Sequence, residues 1–523
     1  LKVAGSILKS LDMAAAAKEV TAGSAVQRLP PLSFYHCMND AQESLVEAAR
    51  AMYIEGRSPA AETITMPRRG FGPRPVTLLS PIDHVVYSSL VSRIVAASGV
   101  PDRSADEWMA FEGFGRAEPV DPKYKYLVEI DIASCYEYID HLDLRSELIS
   151  LTLDVDAAQA LVELLTSIYP RGRGLPQLHL SSDRLAEIYL SVIERSLLRR
   201  GYPAKRYADD FRILAETWPQ ANQAIEDAAD AARELGLILS TEKTRIIRID
   251  TLRDQADADN LFLARHFGAK PTVEEFLASP YGPDLVEDDT DDDDDDDGVE
   301  GVEDVAADQP VSERDAGPDD SLHRGALSII EEWVQGVRRQ GEPHLLGSKW
   351  LPGAVSLLAD ASVRISDENL QEIVFRIPMS LEPVVNYLRK RPSELDANWA
   401  TLQMLSSMGR QSPWAKIWLL YLARHLSVLK SASRTDVLEW AEGQAWDSHE
   451  VVRCQAIWTI AHQDNRDVKG LVSAAYGPAS SLTRAGIAAA AGAGEIAEND
   501  PLARAIRSDS KLSKAAFEWG KSH

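Results

Sequence analysis

Residues 126–140 read YLVEIDIASCYEYID, and residues 204–215 read AKRYADDFRILA. The first stretch opens as an apolar, β-prone run and ends in Asp131, with Tyr136 five positions further on. In the second, two β-prone flanks bracket Ala208-Asp209-Asp210, the pattern of a hairpin that carries neighbouring carboxylates at its tip. Within a strand two consecutive side chains point to opposite faces, whereas at a tight turn both can reach outward.

That pattern suits one kind of chemistry. Transfer of a nucleotidyl group requires neutralisation of a triphosphate and activation of a 3′-hydroxyl. Two Mg²⁺ ions about 4 Å apart can serve both ends of the displacement. Mg²⁺ takes carboxylate oxygens, phosphate oxygens and water in octahedral geometry, so one Asp at a strand end and one or two on an adjacent hairpin form a suitable donor set. A lone Asp-Asp pair is usually a solvated turn. Here it stands in series with further motifs.

In order along the chain come MPRRGFGPRPVTLLSPIDHVVY (66–87), WMAFEGFGR (108–116), EIDIASCYEYID (129–140), GLPQLHLSSDRLAEIYL (174–190), RYADD (206–210) and LGLILSTEKTRI (235–246). The series resembles the reverse transcriptase family, as two finger motifs followed by palm motifs A, B, C (the YADD box) and D. The resemblance implies an α+β fingers-and-palm fold of the right-hand type and an RNA-directed DNA polymerase activity. It implies that Asp131, Asp209 and Asp210 hold two Mg²⁺ ions, with the carbonyl of Ile132 as a further ligand. Tyr136 would lie under the sugar and reject a 2′-hydroxyl. Arg74, with Arg69 or Arg68, would cover the incoming triphosphate, where a guanidinium fork suits phosphate oxygens. Gln177 would line the nucleotide pocket, Gly174 would allow close backbone approach, and Lys243 would pair with or protonate the leaving pyrophosphate. The sequence departs from the family at Leu178, where many members carry glycine, and at Ser181 and Ser182, where Ser-Pro is common.

The rest of the chain divides by composition. The net charge of −26 argues at first against a nucleic-acid binder, but residues 284–320 alone hold nineteen acidic residues and one arginine. That segment is expected to be a disordered, solvated spacer, because it cannot bury enough apolar surface to offset chain entropy. Its deletion over 287–308 is expected to leave the core fold intact. Residues 321–523 are nearly neutral, contain nine of the eleven tryptophans, and repeat apolar residues at three- and four-residue spacing. SHEVVRCQAIWTIAHQD (448–464), with Val452, Ala456 and Ile460 on one face, resembles a HEAT-type repeat helix, and LTRAGIAAAAGAG (482–494) a more degenerate unit. The expected organisation is an N-terminal helical extension (1–60), fingers and palm (61–283), the acidic linker (284–320) and an all-α HEAT-like repeat domain (321–523). The stretch after residue 250 is too short for an evident thumb.

No CxxC pair links Cys37, Cys135 and Cys454, which disfavours a disulfide framework or a zinc ribbon and fits a reducing, cytoplasmic setting. No apolar run is long enough to span a membrane, and the N-terminal stretch lacks a signal-peptide layout. A palm without evident thumb or endonuclease, followed by helical repeats, resembles the bacterial abortive-infection and defence-associated reverse transcriptases. That resemblance implies a role in antiphage defence, dNTP substrates, single-stranded DNA or RNA as partner, and synthesis that is untemplated and primed on a protein hydroxyl, leaving product attached to the protein. Tyr35 and Tyr53 are candidate primers, and a homo-oligomer is compatible with this reading. The alternatives are a retron-like or retroelement reverse transcriptase that copies a specific RNA, and a non-catalytic nucleic-acid-binding scaffold.

Overall fold

The computed structural model describes the chain except residues 23–24, 69–71, 100–102, 117–120, 268–317, 341–344, 360–362, 392–394, 410, 427–429 and 464–465. Almost all of the expected acidic linker therefore lies outside the described residues. The C-terminal helices begin at Pro318, within the predicted linker.

Motifs A, C and D ride on a four-stranded antiparallel sheet ordered β4-β5-β3-β6, with β3 at Tyr126–Asp131, β4 at Ala204–Tyr207, β5 at Asp210–Ala215 and β6 at Arg245–Arg248. Both faces of β3 are covered, because Leu127 and Val128 are adjacent in sequence and both fully buried. On one face lies helix Trp218–Glu234, started by Thr217, whose side chain accepts from the Gln220 N–H. Its buried stripe is Ala221, Ala224, Ala228, Ala231 and Ala232, so the helix can approach the sheet closely. On the other face Leu127 and Leu214 pack with Ile249 and Leu252 of helix Ile249–Phe267.

The fingers hairpin, β1 (Ala61–Pro67) with β2 (Pro73–Leu79), leads into helix Pro81–Ser98. Ser80 caps that helix and its first eleven residues are all buried. It is the axis around which helices Met13–Thr21, Gln42–Glu55, Val155–Ile168 and Leu180–Arg199 gather. The N-terminal helices are thus built into the same core as the fingers.

From Pro318 onward every described element is helical, and alternate helices stack. Leu345–Leu357, Leu381–Lys390, Pro413–His425, Glu450–Ala461, Arg484–Ala493 and Lys511–Gly520 form one row. That row lies against the N-terminal half. The carboxylate of Glu62 on β1 accepts from the N–H groups of Glu450 and Val451 (2.9 Å each), placing negative charge at the N-terminus of a helix. The indoles of Trp414 and Trp418 both donate to the Arg28 carbonyl (2.6 and 3.2 Å). Val452, Ala456 and Ile460 of helix Glu450–Ala461 are all buried, and ten of its twelve residues are buried in all, because it sits between stacked neighbours on both sides. The tryptophans do serve as core, with Trp333, Trp399 and Trp414 fully buried and Trp446 a solvent-exposed exception.

Candidate active site

The register of β3 against β5 places Asp131 directly opposite Asp210. Directly opposed residues project from the same face of an antiparallel pair, so the two carboxylates share a side of the sheet. Asp209 occupies the two-residue loop between Tyr207 and Asp210, which are themselves paired. The Ile132 N–H donates to the Asp209 carbonyl (3.2 Å), extending the pairing past the strand end. Asp210 is thus the first residue of β5 and not part of the hairpin tip, and the three expected carboxylates converge.

Their electrostatics follow from that convergence. Enclosure by the surrounding protein, then the neighbouring carboxylates of Asp209 and Asp131, push Asp210 up to about 7, even though its side chain still reaches solvent. Burial raises Asp131 as well, opposed by a hydrogen bond from Lys243. The Lys243 Nζ stands 2.6 Å from Asp131 Oδ1. It is brought there by the motif D loop, where Ser240 N–H donates to the Asp131 carbonyl (2.7 Å) and Thr244 N–H folds back onto Ser240 (2.9 Å). Asp131, Asp210 and Asp209 in turn hold Lys243 in its charged form against the opposing effect of enclosure.

Carboxylates crowded until one resists ionisation are a donor set suited to a hard divalent cation. Among the described residues no three His, Cys, Asp or Glu side chains enclose an ion by themselves. The fit is to an ion whose coordination is completed by substrate oxygens and water.

Motif B is sewn to motif A. Gly174 N–H donates to Ile139 O (2.9 Å) and Leu175 N–H to Tyr136 O (2.8 Å). Gly174 adopts φ +108, a conformation that side chains with a Cβ rarely take, which accounts for glycine. Gln177 is nearly buried, beside Leu178. Leu178 itself takes φ +66, the left-handed conformation that the glycine common at this position would adopt freely, and its carbonyl is held by the Gln27 N–H (2.9 Å). The departure from the family pattern is therefore accommodated as local backbone strain. His179 follows, donating from Nε2 to the Thr77 carbonyl (2.8 Å) on β2. Its Nδ1 then accepts from His84 Nε2 (3.1 Å), a tautomer assignment forced by the carbonyl at one end of the pair.

Among the finger arginines, Arg74 lies on β2 opposite Met66. Arg68 forms an ion pair with Glu137 of motif A (3.6 Å), and Arg69 lies outside the described residues. The second finger motif forms helix Ala105–Gly113, tied to the palm by Arg212 on β5, which pairs with Glu112 (3.2 Å) and Glu129 (3.5 Å).

The two candidate primer tyrosines are structural. Tyr35 donates to the Leu79 carbonyl (2.7 Å) and Tyr53 to Asp83 (2.8 Å), both fully buried. Asp183 and Arg103 meet at the Tyr136 hydroxyl and Glu187 holds Arg103; Asp183 and Glu187 lie within the motif B stretch, but the resemblance assigns them no role, and Arg103 lies outside the quoted motifs.

Residues 72–276 match the family described as reverse transcriptase (RNA-dependent DNA polymerase). No curated protein matches the chain. Solved structures that it resembles include telomerase from Candida tropicalis with a TWJ fragment of telomeric RNA, at 11% identity over 78% of this chain and 68% of that one, TM-score 0.29. Telomerase from Candida albicans with the same kind of RNA fragment matches at 10% identity over 84% and 68%, TM-score 0.26.

Proposed function

We propose, from the premise that residues 72–276 form a reverse transcriptase domain and that the chain is a nucleotidyltransferase of the RNA-directed DNA polymerase type, that it is a Mg²⁺-dependent DNA polymerase using two ions and acting in the cytoplasm in bacterial antiphage defence. The observation that carries the polymerase reading is the opposition of Asp131 and Asp210 across β3 and β5 with Asp209 in the adjoining loop.

Asp131, Asp209, Asp210 and the Ile132 carbonyl would hold the divalent ions, which when bound supply a more acidic 3′-hydroxyl and charge neutralisation on the leaving pyrophosphate. Lys243, already on Asp131, is placed to move onto the pyrophosphate and offer it a proton. Tyr136 blocks a 2′-hydroxyl, Gln177 and Gly174 shape the nucleotide pocket, and Arg74 with Arg69 grips the phosphates.

The defence reading is supported by the alternate-helix stacking after Pro318, which fits a HEAT-like repeat. Burial of Tyr35 and Tyr53 argues against both as primers in a protein-primed, untemplated reaction, and Tyr138 of motif A is an exposed tyrosine among the described residues that could serve instead. No helix among the described residues is long and apolar enough to cross a membrane.

The test is to incubate the full chain with Mg²⁺ and each dNTP, with and without added RNA. Labelled DNA that remains on the protein after denaturation supports the self-primed reading. Free product that requires RNA supports a retron-like enzyme copying a specific RNA. No incorporation under any condition overturns both.

A further inference from the structure

A bulky ring selects against a 2′-hydroxyl only if it cannot swing aside when a ribonucleotide enters. A tyrosine ring pivots on two torsions, and packing along its flank restrains it less than a tether at its far end. The hydroxyl of Tyr136 is tethered twice. It donates to Asp183 Oδ1 (2.5 Å), and it accepts from Arg103 Nη2 (3.3 Å).

Those two partners are themselves locked. Arg103 Nη1 pairs with Asp183 Oδ1 (3.2 Å), and its Nε donates to Glu187 Oε1 (2.6 Å). The second oxygen of Asp183 takes the amide of Gln27 (3.4 Å). Glu187 also binds Arg206 (2.7 Å), which donates in turn to the carbonyl of Ala208 (3.0 Å) in the catalytic hairpin. Asp183 and Glu187 are one turn apart on helix Leu180–Arg199, and each side chain is only 13% exposed. A core tyrosine needs a single acceptor. Enclosing an aspartate, a glutamate and two arginines in a network that ends on one hydroxyl costs desolvation that an apolar contact would avoid, so the arrangement is explained better by fixed geometry than by stability.

We propose that Asp183, oriented by Arg103, is the positioning residue that makes Tyr136 selective, and so sets the discrimination between deoxy- and ribonucleotides. This rests on the reading of Tyr136 as the sugar gate. Asp183 acts through the ring and does not touch the sugar.

The experiment compares kcat/KM for each dNTP with that for the matching rNTP in the full chain, with Mg²⁺, for Asp183→Leu, Asp183→Asn, Tyr136→Phe and Tyr136→Ala. Loss of a charge-assisted hydrogen bond predicts that Asp183→Leu lowers the dNTP:rNTP ratio about tenfold or more, through a lower KM for ribonucleotides. Tyr136→Phe, which keeps the ring and removes the tether, lowers the ratio in the same way. Asp183→Asn, which retains an acceptor for the hydroxyl, restores most of it. If Asp183→Leu does not fold, Tyr136→Phe carries the same test. A wild-type ratio in Asp183→Leu and Tyr136→Phe, with loss only in Tyr136→Ala, overturns the proposal while the gate survives. A wild-type ratio in Tyr136→Ala removes the gate and the proposal together.

Discussion

The palm and the C-terminal helices are built on opposite terms. Three of the six non-glycine residues with positive φ among the described residues, Ser134 (+49), Leu178 (+66) and Ala208 (+53), sit in the loops of motifs A, B and C. Around them lie like-charged carboxylates and a buried ionic network. The C-terminal row relies on indoles, aliphatic side chains and very close helix contacts: a Cβ on Gly520 would stand 2.0 Å from the Ala489 carbonyl, and one on Gly492 2.0 Å from the Phe517 carbonyl. The first region holds side chains where chemistry needs them at the expense of local stability, and the second supplies the packing that tolerates this.

The contrast breaks most visibly at the carboxylates. Asp209→Asn is expected to reduce incorporation by roughly a thousandfold or more, the loss of several kcal/mol of transition-state stabilisation. Its thermal melt should be unchanged or higher, since one of three crowded negative charges is gone. A sharply lower melt would show that Asp209 is a structural residue. The mirror-image experiment is Gly520→Ala. The added methyl must push two helices apart, so a loss of about 1–3 kcal/mol or more is expected in denaturant unfolding. Incorporation per folded molecule at low temperature should stay near wild type, because no catalytic side chain is touched.

The same contrast decides what could be read from the sequence. Asp131 and Asp210 were legible because β-patterned runs fix where strands end, and the hairpin fixes which residues face each other. The helices after Pro318 were legible from their apolar period. The pairing of Asp183 and Glu187, both within the motif B stretch, with Arg103 was not, because a charge is buried only when its partner arrives, and Arg103 is eighty residues from Asp183. Tyr35 and Tyr53 illustrate the converse. Nothing local distinguishes a primer hydroxyl from one that satisfies a buried carbonyl or carboxylate. Helix Glu450–Ala461 buries more than the Val452, Ala456 and Ile460 face for a related reason: sequence period reports one partner surface, and this helix has neighbours on several sides.

The histidine pair between motif B and the fingers offers a smaller handle. Burial holds His179 down to about 4 and His84 well below the usual imidazole range. The unfolded chain takes up protons from about pH 6.5 downward that the folded chain refuses. Stability from this pair is therefore present above about pH 6.5 and is lost as pH falls toward 4. Thermal melts between pH 7 and 5.5 should fall more steeply in the wild type than in His84→Asn. Equal slopes would mean that the pair is protonated in the folded protein.

The smallest effect is the most discriminating. Ala208 holds φ +53 between Tyr207 and Asp209, with its carbonyl gripped by Arg206. A left-handed alanine costs about 1–2 kcal/mol relative to glycine, while glycine in the unfolded chain gives back about 0.4–1 kcal/mol of that difference through entropy. Ala208→Gly should therefore stabilise the protein by about 0–1.6 kcal/mol, a rise of at most a few degrees in the melt. If the strained alanine is what aims Asp209, incorporation falls as the melt rises, because a glycine loop samples more orientations. If incorporation and stability rise together, the strain in motif C has no catalytic use, and the palm differs from the helical region in composition alone.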